Sequence, residues 1–339
     1  MPSKPAIWFP TVKTNTGTDI FTERLVENLN KRGIQAEISW LPLRAEYAPW
    51  TVSIPTPPNW TNIVHINSWL HPRFIPKHLP VIATIHHASH HPDIDAYKGL
   101  ATRIYHKYWI AAMERKNIAR AKKVIAVSNF VADTARETLA ELPIKVIYNG
   151  VDVEVFKPGK RARKPNEPFR LLYIGSWKKL KGVDLLPGIM RSLGNEFKLY
   201  YTGGTLRKEK NISMPENMYD IGHLKRDYDV AEEMKKSDAL LFPSRSEGFG
   251  LVVIEAMSCG LPVICTNKPP LTEIVDDGIN GMLCTPNNTA AFVKAIKMQK
   301  NLYPIKEKIR EKAIKRFSSK ITTNAYINEY LELIKNENK

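Results

Sequence analysis

Short apolar runs alternate with amphipathic stretches on both sides of a proline-rich, charged segment, and this alternation most constrains what the chain can fold into. In the first half, residues 6–9, 36–40, 62–66, 81–85, 124–127 and 145–148 read as strands. Helices are expected near 18–31, stopped by Gly33 after Lys31 and Arg32, and near 101–121. In the second half, strands at 169–174, 197–201, 238–242 and 262–265 alternate with helices near 182–192, 228–236, 250–259 and 288–299. Apolar residues at consecutive positions suit parallel strands covered on both faces. Strands alternating with helices then imply parallel sheets flanked by helices. Residues 157–168 carry prolines and charges with one alanine as the only apolar side chain, which reads as a linker. Two doubly wound domains joined in this way place a ligand cleft at the carboxyl ends of their strands.

One loop stands out within that pattern. Glu247-Gly248-Phe249-Gly250 follows the apolar run ending at Pro243 and precedes Leu251-Val252-Val253-Ile254-Glu255. The order is strand, loop, helix. The glycines permit a tight turn and close approach of a ligand. The first amides of the new helix suit an anion such as a phosphate. The two glutamates, eight positions apart, span about 12 Å of helix axis and lie within about a quarter turn of one another. Glu255 falls in an otherwise apolar helix, where a carboxylate needs a partner. A polar ligand touching both ends accounts for it; a capped core helix with one satisfied glutamate is the plainer alternative.

Composition narrows the function classes. At 339 residues, 43% hydrophobic and 25% charged, the chain has room for two cores. No window approaches eighteen uninterrupted apolar residues, so a spanning helix is not expected, and no N-terminal segment joins a basic start to an apolar stretch long enough for a signal peptide. Cys259, Cys265 and Cys284 are odd in number and lack metal-ligand spacing, which fits a reducing cytoplasm. The net charge of +16 gathers at 103–123, 157–181 and 294–320. Only the first cluster interleaves aromatics, in Arg103-Ile-Tyr-His-Lys-Tyr-Trp109. That mixture suits a helix lying on an anionic bilayer. Nucleic acid or a solvated helix face would suit it as well. Residues 306–320 read as an exposed helix.

Five motifs in order resemble the retaining GT-B glycosyltransferases of family four. They are Asn149-Gly-Val-Asp152 with Phe156 and Pro158; Gly175 to Asp184 with Lys181-Gly182; Pro243-Ser-Arg-Ser-Glu247-Gly-Phe-Gly250 through Glu255; Gly260-Leu-Pro262-Val263; and Glu273 to Gly278 with Gly281. The resemblance implies two Rossmann-like doubly wound parallel-sheet domains facing each other across a cleft. It implies an acceptor-side domain at 1–155, a nucleotide-sugar domain at 156–317, and a final helix near 318–339 packing back on the first. The pattern is broken in three places. Ser176 stands where the family commonly has a diphosphate-binding arginine, and Lys178 or Lys179 would have to supply that charge without a bidentate fork. Pro269-Pro270 replaces a glycine pair in the sugar-facing loop, and the first loop has the single glycine Gly17.

The implied reaction moves a sugar from a nucleoside diphosphate to a hydroxyl of a glycan or lipid-linked acceptor, keeping the anomeric configuration, with neither metal nor bound cofactor. Stabilising the departing diphosphate is then the main task. It falls to Lys181, with Ser176 or Lys178 in support, and to the amides around Gly248, Phe249, Gly250 and Leu251. Glu247 would face the donor sugar and Glu255 the ribose. His86 matches a histidine that reaches the sugar, and Gly17 would let the first loop close over the phosphates. In a front-face route the leaving phosphate itself helps deprotonate the acceptor. His86 and His90, four apart, also invite a zinc reading, though no carboxylate or cysteine stands at familiar spacing. Asp93-Ile-Asp95 reads as a surface loop. An epimerase or phosphorylase on the same fold is the enzymatic alternative, and a basic nucleic-acid binder the non-enzymatic one.

Overall fold

The structure, a computed structural model, describes residues 4–160, 163–164, 166–203, 214–302 and 306–337. The chain forms two compact units, Met1–Gly150 with Ser319–Lys339, and Val151–Ser318. The division falls at Gly150/Val151, ahead of the 155/156 boundary the motifs suggested. Phe156 is fully buried, and Arg310 donates to its carbonyl at 2.7 Å, which ties this stretch to the second unit. Within the expected linker, Arg163 lies over the Phe169 ring and donates to the Lys300 carbonyl at 3.3 Å, so that residue is packed. Residues 161, 162 and 165 of it lie outside the described set.

The first unit carries a six-stranded parallel sheet, ordered β2-β1-β3-β4-β5-β6. Its strands are β1 (Ala6–Val12), β2 (Gln35–Leu41), β3 (Ile63–Asn67), β4 (Val81–Ile85), β5 (Lys123–Ala126) and β6 (Lys145–Val146). Successive side chains of β1 alternate between two cores, as a pleated strand requires. Ile7 and Phe9 join Phe21, Leu25 and Ile63 on one face, while Trp8 and Val12 join Val64, Ile66 and Phe74 on the other. The helix Ser319–Glu337 completes the first of these cores with Tyr326, Tyr330, Leu333 and Ile334.

His65 on β3 lies under that helix, bridging the hydroxyls of Tyr330 and Thr84 at 2.7 Å each. Burial pushes its imidazole down to about 3. The unfolded chain takes up a proton below the ordinary histidine value near 6.5, and the folded one does not until about 3. His65 therefore contributes stability that is fully present above pH 6.5 and is lost as pH falls toward 3, at about 1.4 kcal/mol per pH unit. Denaturant midpoints measured from pH 7 to pH 5 should show this slope, and His65→Asn should flatten it.

The second unit has its own six-stranded parallel sheet, ordered β12-β11-β10-β7-β8-β9. The strands are β7 (Phe169–Tyr173), β8 (Phe197–Tyr201), β9 (Met218–Asp220), β10 (Ala239–Phe242), β11 (Val263–Thr266) and β12 (Gly281–Cys284). Both edge strands escape the sequence pattern: β9 buries only Met218, and β12 opens on a glycine. The basic stretch 306–320 is not a free helix. Helix Lys306–Phe317 buries Ile309, Ala313 and Phe317, and Phe317 meets Phe249 edge-to-face at 5.7 Å. The charged majority of its residues hides a narrow apolar stripe.

Among the described residues no helix is long and apolar enough to cross a membrane. All three cysteines are buried and unpaired.

Candidate active site

In each sheet the chain turns back past its starting strand once, and the crevice for a ligand opens at that switch point, beyond the carboxyl ends of the strands. In the second unit the switch lies between β7 and β10. The loops after these two strands carry Lys181 and Glu247. Their side chains meet: Lys181 Nζ is 2.7 Å from Glu247 Oε1, with both groups largely shielded from water. The ammonium also donates to the Ser246 carbonyl at 3.4 Å. An ammonium has three hydrogens, so a third remains for an anion. Tyr173, at the end of β7, lies close enough for the Glu247 charge to add to burial in raising its phenol.

Local chemistry explains how the two loops come together. After Tyr173 the chain passes Gly175, whose amide donates to Thr202 Oγ1 at 3.0 Å, while the Tyr173 hydroxyl donates to the Ser176 carbonyl at 3.1 Å. A 3-10 turn, Lys179–Lys181, follows and ends at Gly182, which is left-handed at φ 72°. Gly182 packs directly on Pro243, where a Cβ would run into the carbonyl oxygen of that residue. A second 3-10 turn, Val183–Leu185, comes next, so the α-helix starts only at Leu186, later than the 182–192 the pattern predicts.

Arg245 fastens the assembly and was not singled out by sequence. Its guanidinium grips both Asp184 carboxylate oxygens at 2.6 and 2.8 Å, holds the Lys179 carbonyl, and donates through Nε to Asn287 at 2.6 Å. Its own amide donates to the Leu180 carbonyl at 2.9 Å. The side chain is only 8% exposed. The available signal was an arginine two residues before Glu247 and an aspartate three after Lys181, in separate motifs. Arg245→Ala should lower folding stability by about 1 kcal/mol, since it strips the partly exposed Asp184, the Lys179 carbonyl and Asn287 of a shared partner. Chemical denaturation of the purified variant checks this.

Glu247 is not on the helix, contrary to the sequence reading. The helix runs Leu251–Ser258 and is preceded by Gly250 at φ 106°, ψ 57°, which offers no side-chain cap. The left-handed glycine ends the loop, so only Glu255 is helical and the 12 Å spacing along one axis does not apply. The Val253 amide donates to the Gly250 carbonyl at 3.0 Å, and the first turn as a whole carries the positive end of the helix dipole. Gly248, Phe249 and Gly250 are buried, and Glu255 is buried within the helix at 7% exposure. Ser176 and Lys178 are exposed on the facing loop. Pro269 and Pro270 are joined by a cis peptide just ahead of the short helix Leu271–Ile274.

In the first unit the switch point lies between β1 and β3. Gly17 opens the helix Gly17–Asn30 and is exposed, but the left-handed residue of that loop is Asn15 at φ 56°. Asp19 makes this possible. Its carboxylate accepts from the amides of Thr14 and Asn15 at 2.9 and 2.6 Å. His86, after β4, is 4% exposed and packs edge-on against Phe21 and Trp69. Burial, then the neighbouring His87 and His65, holds it well below the usual histidine range, so the ring is neutral. Its Nε2 is buried without a hydrogen-bond partner, a costly state that a ligand hydroxyl would relieve.

The other histidines have separate duties. His90 pairs with Glu114 at 2.6 Å, and Ser68 donates to the same carboxylate at 2.6 Å. Among the described residues no three histidine, cysteine or acidic side chains gather as a metal-ligand set. Asp93 and Asp95 lie in a short helix, Pro92–Asp95, rather than a loop, because His91 Nδ1 caps the Asp93 amide at 3.3 Å.

Solved structures share this fold. Sucrose-phosphate synthase from Thermosynechococcus elongatus matches with a TM-score of 0.79 at 18% identity, over 97% of this chain and 99% of that one. Anabaena HepE, solved in complex with UDP and glucose, matches with a TM-score of 0.72 at 18% identity, over 97% and 99%. The fold is GT-B. The Glycosyltransferase Family 4 model matches residues 59–155, and the Glycosyl transferases group 1 model matches 157–316. The chain belongs to this group 1 glycosyltransferase family. An uncharacterized glycosyltransferase of Methanocaldococcus jannaschii is 38% identical over 168 residues, 49% of this chain and 46% of that one. The chain spans about half the length of the curated relatives it matches first.

Proposed function

We propose that this chain transfers a sugar from a nucleoside diphosphate sugar to a hydroxyl of a glycan or lipid-linked acceptor, with retention at the anomeric carbon. The observation that carries the reading is the Lys181–Glu247 pair beside an uncapped helix start at the sheet's switch point. When the bond between the anomeric carbon and the diphosphate breaks, negative charge grows on the leaving oxygens and positive charge on the sugar. Lys181 and the first helix amides stand to receive the former, and Glu247 to offset the latter. One such donor is worth about 10²–10³ in rate. Ser176 and Lys178 assist at the phosphates in place of the family arginine. Glu255 takes the ribose hydroxyls.

In the first unit, neutral His86 offers an unpartnered ring nitrogen to a sugar hydroxyl. The acceptor oxygen attacks from the face the diphosphate leaves, and its proton passes to the departing phosphate. Three buried unpaired thiols fit action on the cytoplasmic side, in cell-surface polysaccharide or lipopolysaccharide synthesis.

The test is incubation with uridine, guanosine and adenosine diphosphate sugars, with and without hydroxyl acceptors, following nucleotide release and product configuration. Acceptor-dependent release with retained configuration supports the reading. Conversion of the donor alone would instead identify an epimerase, and an inverted product would remove the retaining mechanism.

A further inference from the structure

Several large apolar side chains of the first unit face water, and the chemistry proposed above leaves them unused. Leu43, Tyr47, Trp50 and Ile54 stand exposed after β2, Trp50 at 67%. Leu100, Ile104 and Tyr108 stand exposed at i, i+4 spacing on the helical stretch 100–110, Leu100 at 72% and Tyr108 at 68%. The two sets adjoin through Glu46. The Tyr105 hydroxyl donates to its carboxylate at 3.1 Å, and Trp109 Nε1 donates to its carbonyl at 2.9 Å. Arg73 holds the Pro49 carbonyl at 2.8 Å, just before Trp50. The exposed side chains thus stand on an anchored base.

Their charge has one sign. Arg44, Arg103 and Lys107 are exposed among them. From 40 to 60 and from 96 to 110 the only acidic residue is Glu46, already engaged by Tyr105. Four other members of the basic cluster are engaged elsewhere. Lys122 pairs with Glu337, and Lys123 with Glu329 and Glu332. Arg115 donates to the carbonyls of Thr138 and Leu139, and Arg120 to those of Ile75 and Pro76. The sequence pattern spread this feature over 103–123, but the free surface is 100–108 together with 43–54.

We infer that this surface docks on an anionic lipid bilayer, with Trp50 and Tyr108 entering the headgroup region and Arg44, Arg103 and Lys107 meeting lipid phosphates. Tryptophan and tyrosine favour that interface because one end is apolar and the other wet. Basic side chains add attraction that fades within a Debye length. A second copy is a poor occupant, since a two-fold contact sets the same three cations against themselves. The inference rests on the lipid-linked reading of the acceptor and gives it a physical basis: the enzyme meets its substrate at the membrane surface.

The experiment is flotation of the full chain with vesicles of phosphatidylcholine alone or mixed equally with phosphatidylglycerol, at low and physiological salt. Binding is expected on the anionic vesicles, weaker at higher salt. Trp50→Ser with Tyr108→Ser should cut partition by at least about tenfold. Arg103→Glu with Lys107→Glu should cut it by at least about fivefold per position. Lys294→Glu with Lys297→Glu, on the second unit, should leave it nearly unchanged.

Absence of binding to anionic vesicles overturns the docking surface. So does an equal loss in the Lys294/Lys297 variant, which would assign binding to net charge alone. A concentration-dependent dimer that Trp50→Ser dissolves would make this a copy interface and also overturn it. Nucleotide-induced thermal shifts on the same proteins separate the two readings. A retained shift without vesicle binding sinks only the docking, whereas no shift with any nucleoside diphosphate sinks the donor site and leaves docking to stand on flotation.

Discussion

Glu247→Ala is expected to reduce sugar transfer by at least about a thousandfold while leaving the nucleotide-induced rise in melting temperature nearly intact, and Glu255→Ala to do the opposite. The asymmetry follows from where the two carboxylates stand. Glu247 sits in the loop after β10, outside the helix, and is held by Lys181 at 2.7 Å. In the role proposed for it, it contributes where charge develops, and so acts on the transition state more than on the bound nucleotide. Its removal frees Lys181 for a phosphate, which can hold or even raise nucleotide affinity. Glu255 is inside the helix and buried. In the role proposed for it, its loss removes a hydrogen-bond acceptor for a bound ribose, which appears as weaker binding in the ground state. Steady-state transfer assays together with thermal shifts against uridine, guanosine and adenosine diphosphates read both effects. Full activity in either Glu247→Ala or its glutamine counterpart would remove Glu247 from the mechanism.

Gly182→Ala should be nearly as damaging, through geometry alone. The residue is left-handed, where a Cβ is strained, and its Cβ would collide with the Pro243 carbonyl, a backbone atom that cannot swing aside. Relief requires the two loops to part, which breaks the Arg245 clip and carries Lys181 away from Glu247. A stability loss of about 3 kcal/mol is expected, with transfer reduced at least as far as in a Lys181→Ala variant. Circular dichroism melts and transfer assays on Gly182→Ala, with Gly188→Ala as a comparison, test this. Gly188 lies in the helix Leu186–Leu193, and a Cβ there meets only Thr289, at 3.7 Å and beyond.

The site was partly legible. Glycines at 182 and 250 announce a turn wherever they fall, and both proved left-handed. The pairing of Lys181 with Glu247 was not written in either motif, because the two are 66 residues apart. It depends on β7 and β10 lying side by side, a matter of strand order. The left-handed residue of the first loop was hidden for a related reason. A glycine is the natural suspect for a left-handed turn, yet Asp19 holds the amides of Thr14 and Asn15 and lets Asn15 take that conformation instead. The lysine-rich 306–317 stretch misled through composition: three buried residues on one face suffice to dock a helix whose other positions are charged.

By itself the sequence determined that this chain builds parallel sheets under helices, and that glycine-marked turns follow particular strands, because strand periodicity and left-handed turns are local properties of the backbone. Tertiary structure alone decided which strands are neighbours, that Arg245 locks two distant loops, that His86 ends neutral with an unpartnered nitrogen, and that 43–54 shares a surface with 100–108. Periodicity records which face of an element avoids water. It carries no information on which distant element does the covering, and the chemistry of this site is made in those distant contacts.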